Sequence, residues 1–190
     1  MLGERADGVT YSETADYWEA PINARSSLVF TPWIESANDI DRGQRGEAVV
    51  GVKRLIFRDG GTALAMQAGV FWKSEPGEGC SEGGVELRFL GGMSSPSGDR
   101  FVNVELAGRA LEGGCGGEKL DVTVGYHPTP HWMGLGQIFV DSPMGGDESV
   151  KTQLTLVHFG DTPGHGVQIG VRARLDSGDA EPAVVLAFWG

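Results

Sequence analysis

Four histidines are the residues of this chain whose type and spacing best suit ligand chemistry. His127 and His131 bracket one compact turn (HPTPH), and His158 and His165 bracket another (HFGDTPGH). Neutral imidazoles converging from two neighbouring hairpins are a donor set for a divalent transition metal. The usual spacings do not accompany them. There is no CxxC, HExxH or HxH, and Asp161 is the only carboxylate close by. The expectation is no metal, with His127, His131, His158 and His165 as the positions that would have to converge if one bound.

Carboxylates come next. Glu86, Glu105 and Asp121 fall on three successive segments, where two of them could form the acid–base pair of a glycosidase on a concave sheet. Their basic neighbours Arg88, Arg109 and Lys119 favour mutual ion pairing instead. The serines sit mainly in loops, as Ser94, Ser95 and Ser97 do, with no GxSxG and no evident base. The glycine string GEGCSEGG lacks the strand-to-helix setting of a phosphate loop. Glu75, Glu78, Glu82, Asp147, Glu148, Asp176, Asp179 and Glu181 offer oxygens to Ca²⁺ or Mg²⁺, but without the spacing of a calcium loop. No catalytic residue is assigned, no cofactor is called for, and the chain reads as non-enzymatic.

The segments that carry these residues alternate with period two. Leu120, Val122, Val124 and Tyr126 lie on one face, while Lys119, Asp121, Thr123 and Gly125 lie on the other. Val167, Ile169, Val171, Ala173 and Leu175 likewise oppose Gln168, Gly170, Arg172 and Arg174. Such alternation marks a strand whose two faces meet different surroundings. Strands are expected at Leu28–Ile34, Ala48–Phe57, Ala63–Trp72, Val85–Gly92, Phe101–Leu111, Leu120–Tyr126, Trp132–Val140, Val150–Phe159, Val167–Leu175 and Ala183–Trp189. A weaker candidate covers Val9–Trp18, and residues 35–47 (ESANDIDRGQRGE) read as a polar connector. No segment has helical periodicity, so no parallel crossover fits, and the fold is all-β: an up-and-down antiparallel meander.

The connections alternate between two kinds. FRDGGT, SSPSGDR, HPTPHW and FGDTPGHG are compact. KSEPGEGCSEGG, EGGCGGEK, DSPMGGDES and DSGDAEP are more acidic. In a meander alternate turns share an end, so one end is expected to be tightly turned and the other acidic. Cys80 and Cys115 then fall at the same end, where a disulfide can join their loops.

Bulk composition narrows the function classes. A formal charge of −11 over 190 residues argues against a nucleic-acid partner. No run of 18 apolar residues exists, which excludes a transmembrane helix and says nothing of transmembrane strands. Residues 1–25 show no basic start followed by an apolar core, so no export signal is visible, and this segment is the least readable part of an otherwise single-domain chain spanning 1–190. The polar faces collect Glu86, Arg88, Asn103, Glu105, Arg109, Asp121, Lys151, Gln153, Gln168, Arg172 and Arg174. If the sheet closes, these line its lumen. Tyr and Trp near strand ends, including Trp33, Trp72, Tyr126, Trp132 and Trp189, match interfacial aromatic girdles.

The segments AVVGVKRLIFRDGGTALAMQAGV, VELRFLGG, FVNVELAGRAL, LDVTVGYHPTPHWMGLGQIF, VKTQLTLVHFGDTPGHGVQIGVRARL and PAVVLAFWG together resemble poorly characterised proteobacterial outer-membrane β-barrel proteins, over roughly residues 48–190. That resemblance implies a β-barrel of about 10–12 strands in the outer membrane. Its partners would be the lipid bilayer and small solutes or ions, and it implies no particular activity or oligomeric state. Two features depart from the pattern: Trp189 is followed by Gly190, and a count of ten or eleven readable strands leaves open whether the number is even, as such barrels require. The competing expectation is a secreted or periplasmic soluble β-sandwich or jelly roll. It would bind carbohydrate on Trp33, Trp72 and Trp132, or act on glycans through Glu86 or Glu105.

Overall fold

The computed structural model describes residues 1–4, 10–37, 44–74, 79–161, 165–175 and 181–189. Val9, Glu75, Glu78, Asp176 and Asp179, discussed above, lie outside the described residues, as does the side chain of Glu181. Every regular element is a β-strand. In chain order these are β1 (Leu2–Glu4), β2 (Thr10–Ala15), β3 (Trp18–Asn23), β4 (Ser26–Ala37), β5 (Gln44–Asp59), β6 (Thr62–Lys73), β7 (Gly83–Ser94), β8 (Arg100–Leu111), β9 (Cys115–Thr129), β10 (Trp132–Pro143), β11 (Ser149–Phe159), β12 (Gly166–Arg174) and β13 (Glu181–Trp189).

From β3 to β13 each strand pairs antiparallel with the next along the chain. β1 joins the two ends: Leu2 and Gly3 pair with Val184 and Ala183 of β13 and with Ser12 and Tyr11 of β2. β2 pairs in turn with the far end of β4, Tyr11 opposite Ala37 through Ala15 opposite Trp33. β2 and β3 both lie along β4, so they form one interrupted strand, and the meander closes into a 12-strand barrel. The ten or eleven readable strands become twelve, within the expected 10–12. The weak N-terminal candidate splits around Asp16 and Tyr17, and a three-residue strand at Leu2–Glu4 completes the even number. The polar connector at 35–47 is also shorter than expected, because β4 continues to Ala37 and β5 begins at Gln44.

Turn chemistry sorts the two ends as the loops promised. Between β5 and β6, Gly60 and Gly61 have φ of 51° and 87°. A two-residue hairpin turn needs positive φ at both central positions, which glycine adopts without steric penalty. The turns at 24–25, 60–61, 95–99 and 130–131, and the end of β11 at Phe159, share one end of the barrel with the C-terminal end of β13. At the opposite, acidic end, a disulfide joins Cys80 to Cys115 with Cα atoms 5.9 Å apart, tying the β6–β7 loop to the start of β9.

The closed sheet decides what the apolar faces meet. Leu28, Phe30, Val50, Val52, Val70, Val85, Leu87, Phe89, Leu106, Leu154, Leu156, Ile169, Val171, Val184, Leu186 and Phe188 all point outward and are exposed. Among the described residues, exposed large apolar side chains outnumber buried ones. That inverts the usual soluble arrangement, in which contiguous exposed apolar patches are small. A sandwich needs the apolar faces of two sheets to pack together. Here they are turned away from each other around the whole barrel, which removes the basis for the soluble module. Among the described residues no helix is long and apolar enough to cross a membrane.

Candidate functional site: the charged lumen

The inward face is organised in register-defined tiers that run around one wall. Glu105, Asp121, Phe139, Lys151 and Arg174 stand opposite one another across β8 to β12. One step toward the tightly turned end the tier is Asn103, Thr123, Gln137, Gln153 and Arg172. The next is Phe101, Gly125, Leu135, Thr155, Gly170 and Val185. The lumen thus passes from charge, through amides, to apolar side chains along the barrel axis. Period-two geometry puts one residue per strand per tier, so the gradient is written directly in each strand's inward residues.

Two ion-pair networks reach across the charged part. Glu86 is only 3 % exposed and accepts from Arg109 Nε at 2.7 Å and from Arg88 Nε at 3.1 Å. Arg88 also donates through Nη1 to Glu105 at 2.7 Å. Arg109 continues to Glu47 on β5, three strands away, with Nη1 2.8 Å from Oε2. Lys119 on β9 donates to the same Glu47 oxygen at 3.2 Å and pairs with Asp141 at 3.0 Å. The Arg109 guanidinium sits 4.0 Å from the centroid of Phe71, which supports it from below by a cation–π contact.

The second network starts at Arg172. Its Nη1 donates to Glu13 on β2 at 2.8 Å, and its Nε donates to Gln153 at 2.8 Å. Gln153 passes the chain to Gln137 at 2.8 Å, and Gln137 to Thr123 at 3.2 Å. Lys151 Nζ stands 4.0 Å from Glu13, and Phe139 lies 5.0 Å from the guanidinium. Smaller pairs join Arg45 to Glu35 and Lys53 to Glu19. Both signs are interleaved, so the charges of these networks have opposite partners within 4.0 Å, most of them within hydrogen-bond range, as a partly desolvated lumen requires.

All eleven polar positions read from the sequence therefore lie on lumen-facing strand positions. Glu13, Glu47, Lys73 and Asp141 of the same networks, and the separate pair Glu35 and Arg45, were not among them. Glu35, Arg45 and Glu47 fell in the supposed connector. The period-two parity of β4 and β5, carried through Ser27, Val29 and Glu35 and through Glu47 and Val49, was the signal that could have found them.

The histidines do not converge, which corrects the arrangement that a metal would need. His127 faces the lumen between Phe101 and Phe159, with ring centroids 6.3 and 6.1 Å away. His158 lies on the outer face, edge-on to Trp132 at 4.5 Å, and His131 and His165 are exposed at the turns. Odd and even positions of a strand point to opposite faces, so residues 127 and 158 cannot share a site. Among the described residues no group of three His, Cys, Asp or Glu side chains is placed to hold a metal. Glu86 and Glu105 are bridged by Arg88 and do not flank an open cleft. Trp33 faces inward while Trp72 and Trp132 face outward, so the three do not form a platform.

A solved structure described as KdgM porin superposes on this barrel with a TM-score of 0.63, covering 100 % of this chain and 96 % of that chain at 9 % sequence identity. The two chains share a fold. No family model matches the sequence, and no curated protein matches it. The fold likeness covers the whole chain, including the N-terminal segment 1–25 that the sequence pattern left uncertain.

Proposed function

We propose that the protein is a non-enzymatic β-barrel of the bacterial outer membrane that forms a narrow, charge-lined pore for small solutes or ions. One observation carries this reading: the apolar faces of a closed barrel point outward and the charged faces point inward. Only a bilayer offers the outer faces a favourable environment. A closed sheet also leaves no unpaired strand edge for the hydrocarbon to meet, which is why barrels span membranes. Both turn asymmetry and inward polarity follow the plan of outer-membrane barrels, with short turns on the periplasmic side and the acidic loops outside. A porin as fold neighbour supports the same reading.

The arginine networks of Arg109 and Arg172 would narrow the lumen and set a transverse field that orients a passing solute. The test is expression with an export signal, followed by outer-membrane fractionation and SDS electrophoresis with and without boiling. Recovery in the membrane with a heat-shifted band, and single-channel current in a planar bilayer, is the expected result. A detergent-free soluble monomer without a shift would overturn it.

A further inference from the structure

The tightly turned half of the lumen holds a cavity of about 450 Å³ that the Arg172 network reaches only with its uncharged end, Gln137 and Thr123. Phe101, Phe159, Trp189, Asn103, Gln137 and Gln168 are among the side chains that line it, and no Asp, Glu, Lys or Arg does. Four rings follow one another along the wall. Phe101 to His127, His127 to Phe159, and Phe159 to Trp189 have centroid separations of 6.3, 6.1 and 6.1 Å.

Two of those rings pack beside glycines. A Cβ on Gly125 would be 2.1 Å from a Phe101 ring carbon, and one on Gly166 would be 3.0 Å from Phe159. Both glycines are inward-facing, so each ring approaches the space that a side chain there would take. Polar groups alternate with the rings. Trp189 Nε1 donates to Gln168 Oε1 at 2.9 Å, and Gln168 donates to Thr155 at 2.8 Å. A primary amide has two N–H donors and two acceptor lone pairs, so Gln168 and Gln137 retain hydrogen-bonding capacity after these contacts.

From this geometry we propose that the cavity is a binding subsite for an uncharged, polyhydroxylated ring, a neutral sugar, stacked on the Phe101–Phe159 wall. It rests on the reading of the lumen as a solute path. The chemistry excludes the other ligand classes. An anion would find no Lys or Arg in the lining: Lys151 and Arg174 stand one tier beyond the amides, and Arg172, within the amide tier, is engaged by Glu13 and Gln153. A purely apolar ligand would cover Asn103, Gln137 and Gln168 without replacing their hydrogen bonds with water, an unfavourable exchange for each group. A sugar ring presents an apolar C–H face to an aromatic surface and a rim of hydroxyls to amides, which fits walls of this mixed kind.

The test is isothermal titration of the detergent-folded barrel with maltotriose as the neutral probe and glucuronate as a charged one. Saturable binding of maltotriose is expected, weakened at least tenfold in Phe101→Leu and in Phe159→Leu. Phe89→Leu, on the outer face, should bind like the parent, and every variant should keep its heat-shifted band, which separates lost contacts from lost folding. No saturable binding, equal binding in both lumen variants, or a preference for glucuronate would overturn the subsite. Single-channel current on the same preparations reads the pore separately. A barrel that binds maltotriose and carries no current removes the pore and keeps the subsite. A conducting barrel that does not bind removes only the subsite.

Discussion

Glu86 is the most tightly enclosed carboxylate of the lumen, and its environment defines what a single substitution there would do. Arg88 and Arg109 each donate to it, and Arg109 is shared with Glu47. Arg109→Ala removes one partner from each of two carboxylates, leaving desolvated charge with fewer donors. Breaking a buried pair in this way costs about 3–5 kcal/mol, more than the pair itself contributes. Urea unfolding of the refolded barrel should register a loss of that order, and the combined Glu86→Gln, Arg109→Gln variant should recover much of it. A double variant no more stable than Arg109→Ala would place the weight elsewhere. Arg172 offers the functional counterpart. Arg172→Glu sets a second carboxylate against Glu13 and breaks the amide chain through Gln153, so single-channel conductance and ion selectivity should both change. Arg174→Glu, one tier nearer the acidic end, should act in the same direction. Parent-like conductance in both variants would exclude these side chains from the conduction path.

At the scale of elements, the disulfide and the strands divide the labour. Cys80–Cys115 closes 35 residues around β7 and β8 at the acidic end, while the ladder pairs of those strands are independent of it. Loop closure of that size stabilises by roughly 2–4 kcal/mol in the chain-entropy picture. Reduction should therefore leave the heat-shifted band intact and expose the loops around Cys80 and Gly114 to protease, with cuts confined to that end. Cleavage inside β7 or β8 on reduction would mean that the bond holds the wall itself. The strands from β4 onward were readable because each carries its own alternation, and the tight turns because their glycines announce them. β1 was not, since three residues cannot display a period, and its pairing with β13 joins the two ends of the chain. The lumen networks were half legible. Parity put Glu86, Arg109 and Arg172 on the inner face, but Arg109 to Glu47 and Arg172 to Glu13 connect strands that are not neighbours. Such chords depend on closure and curvature, which no strand's pattern contains. The histidine pairing failed for a related reason: turn proximity suggested convergence, while strand parity sent His127 inward and His158 outward.

For the whole molecule, the decisive quantity is the free energy of the outer surface. A soluble protein with this many outward Val, Leu, Ile and Phe side chains would aggregate, whereas a bilayer rewards each of them by about 25 cal/mol per Å² removed from water. The charge asymmetry is consistent with that: an overall −11 is concentrated in loops and paired in the lumen, leaving the central outer face without charge. Leu154 tests the argument because it is 67 % exposed yet sits mid-strand, opposite Gly136 on one side and Val171 on the other. In an aqueous protein, replacing an exposed leucine by arginine changes stability by no more than about 0.5 kcal/mol. At the midplane of a bilayer the same change costs about 2–4 kcal/mol. Leu154→Arg measured by reversible unfolding from lipid vesicles should fall in the second range, and Met144→Arg, exposed in an acidic-end loop, in the first. Near-equal effects at the two positions would mean that the apolar belt meets water or protein, and the pore reading would fall with it. A depth-dependent difference would set the bilayer across the middle of the barrel, with the charged tier of the lumen inside it and the acidic loops beyond.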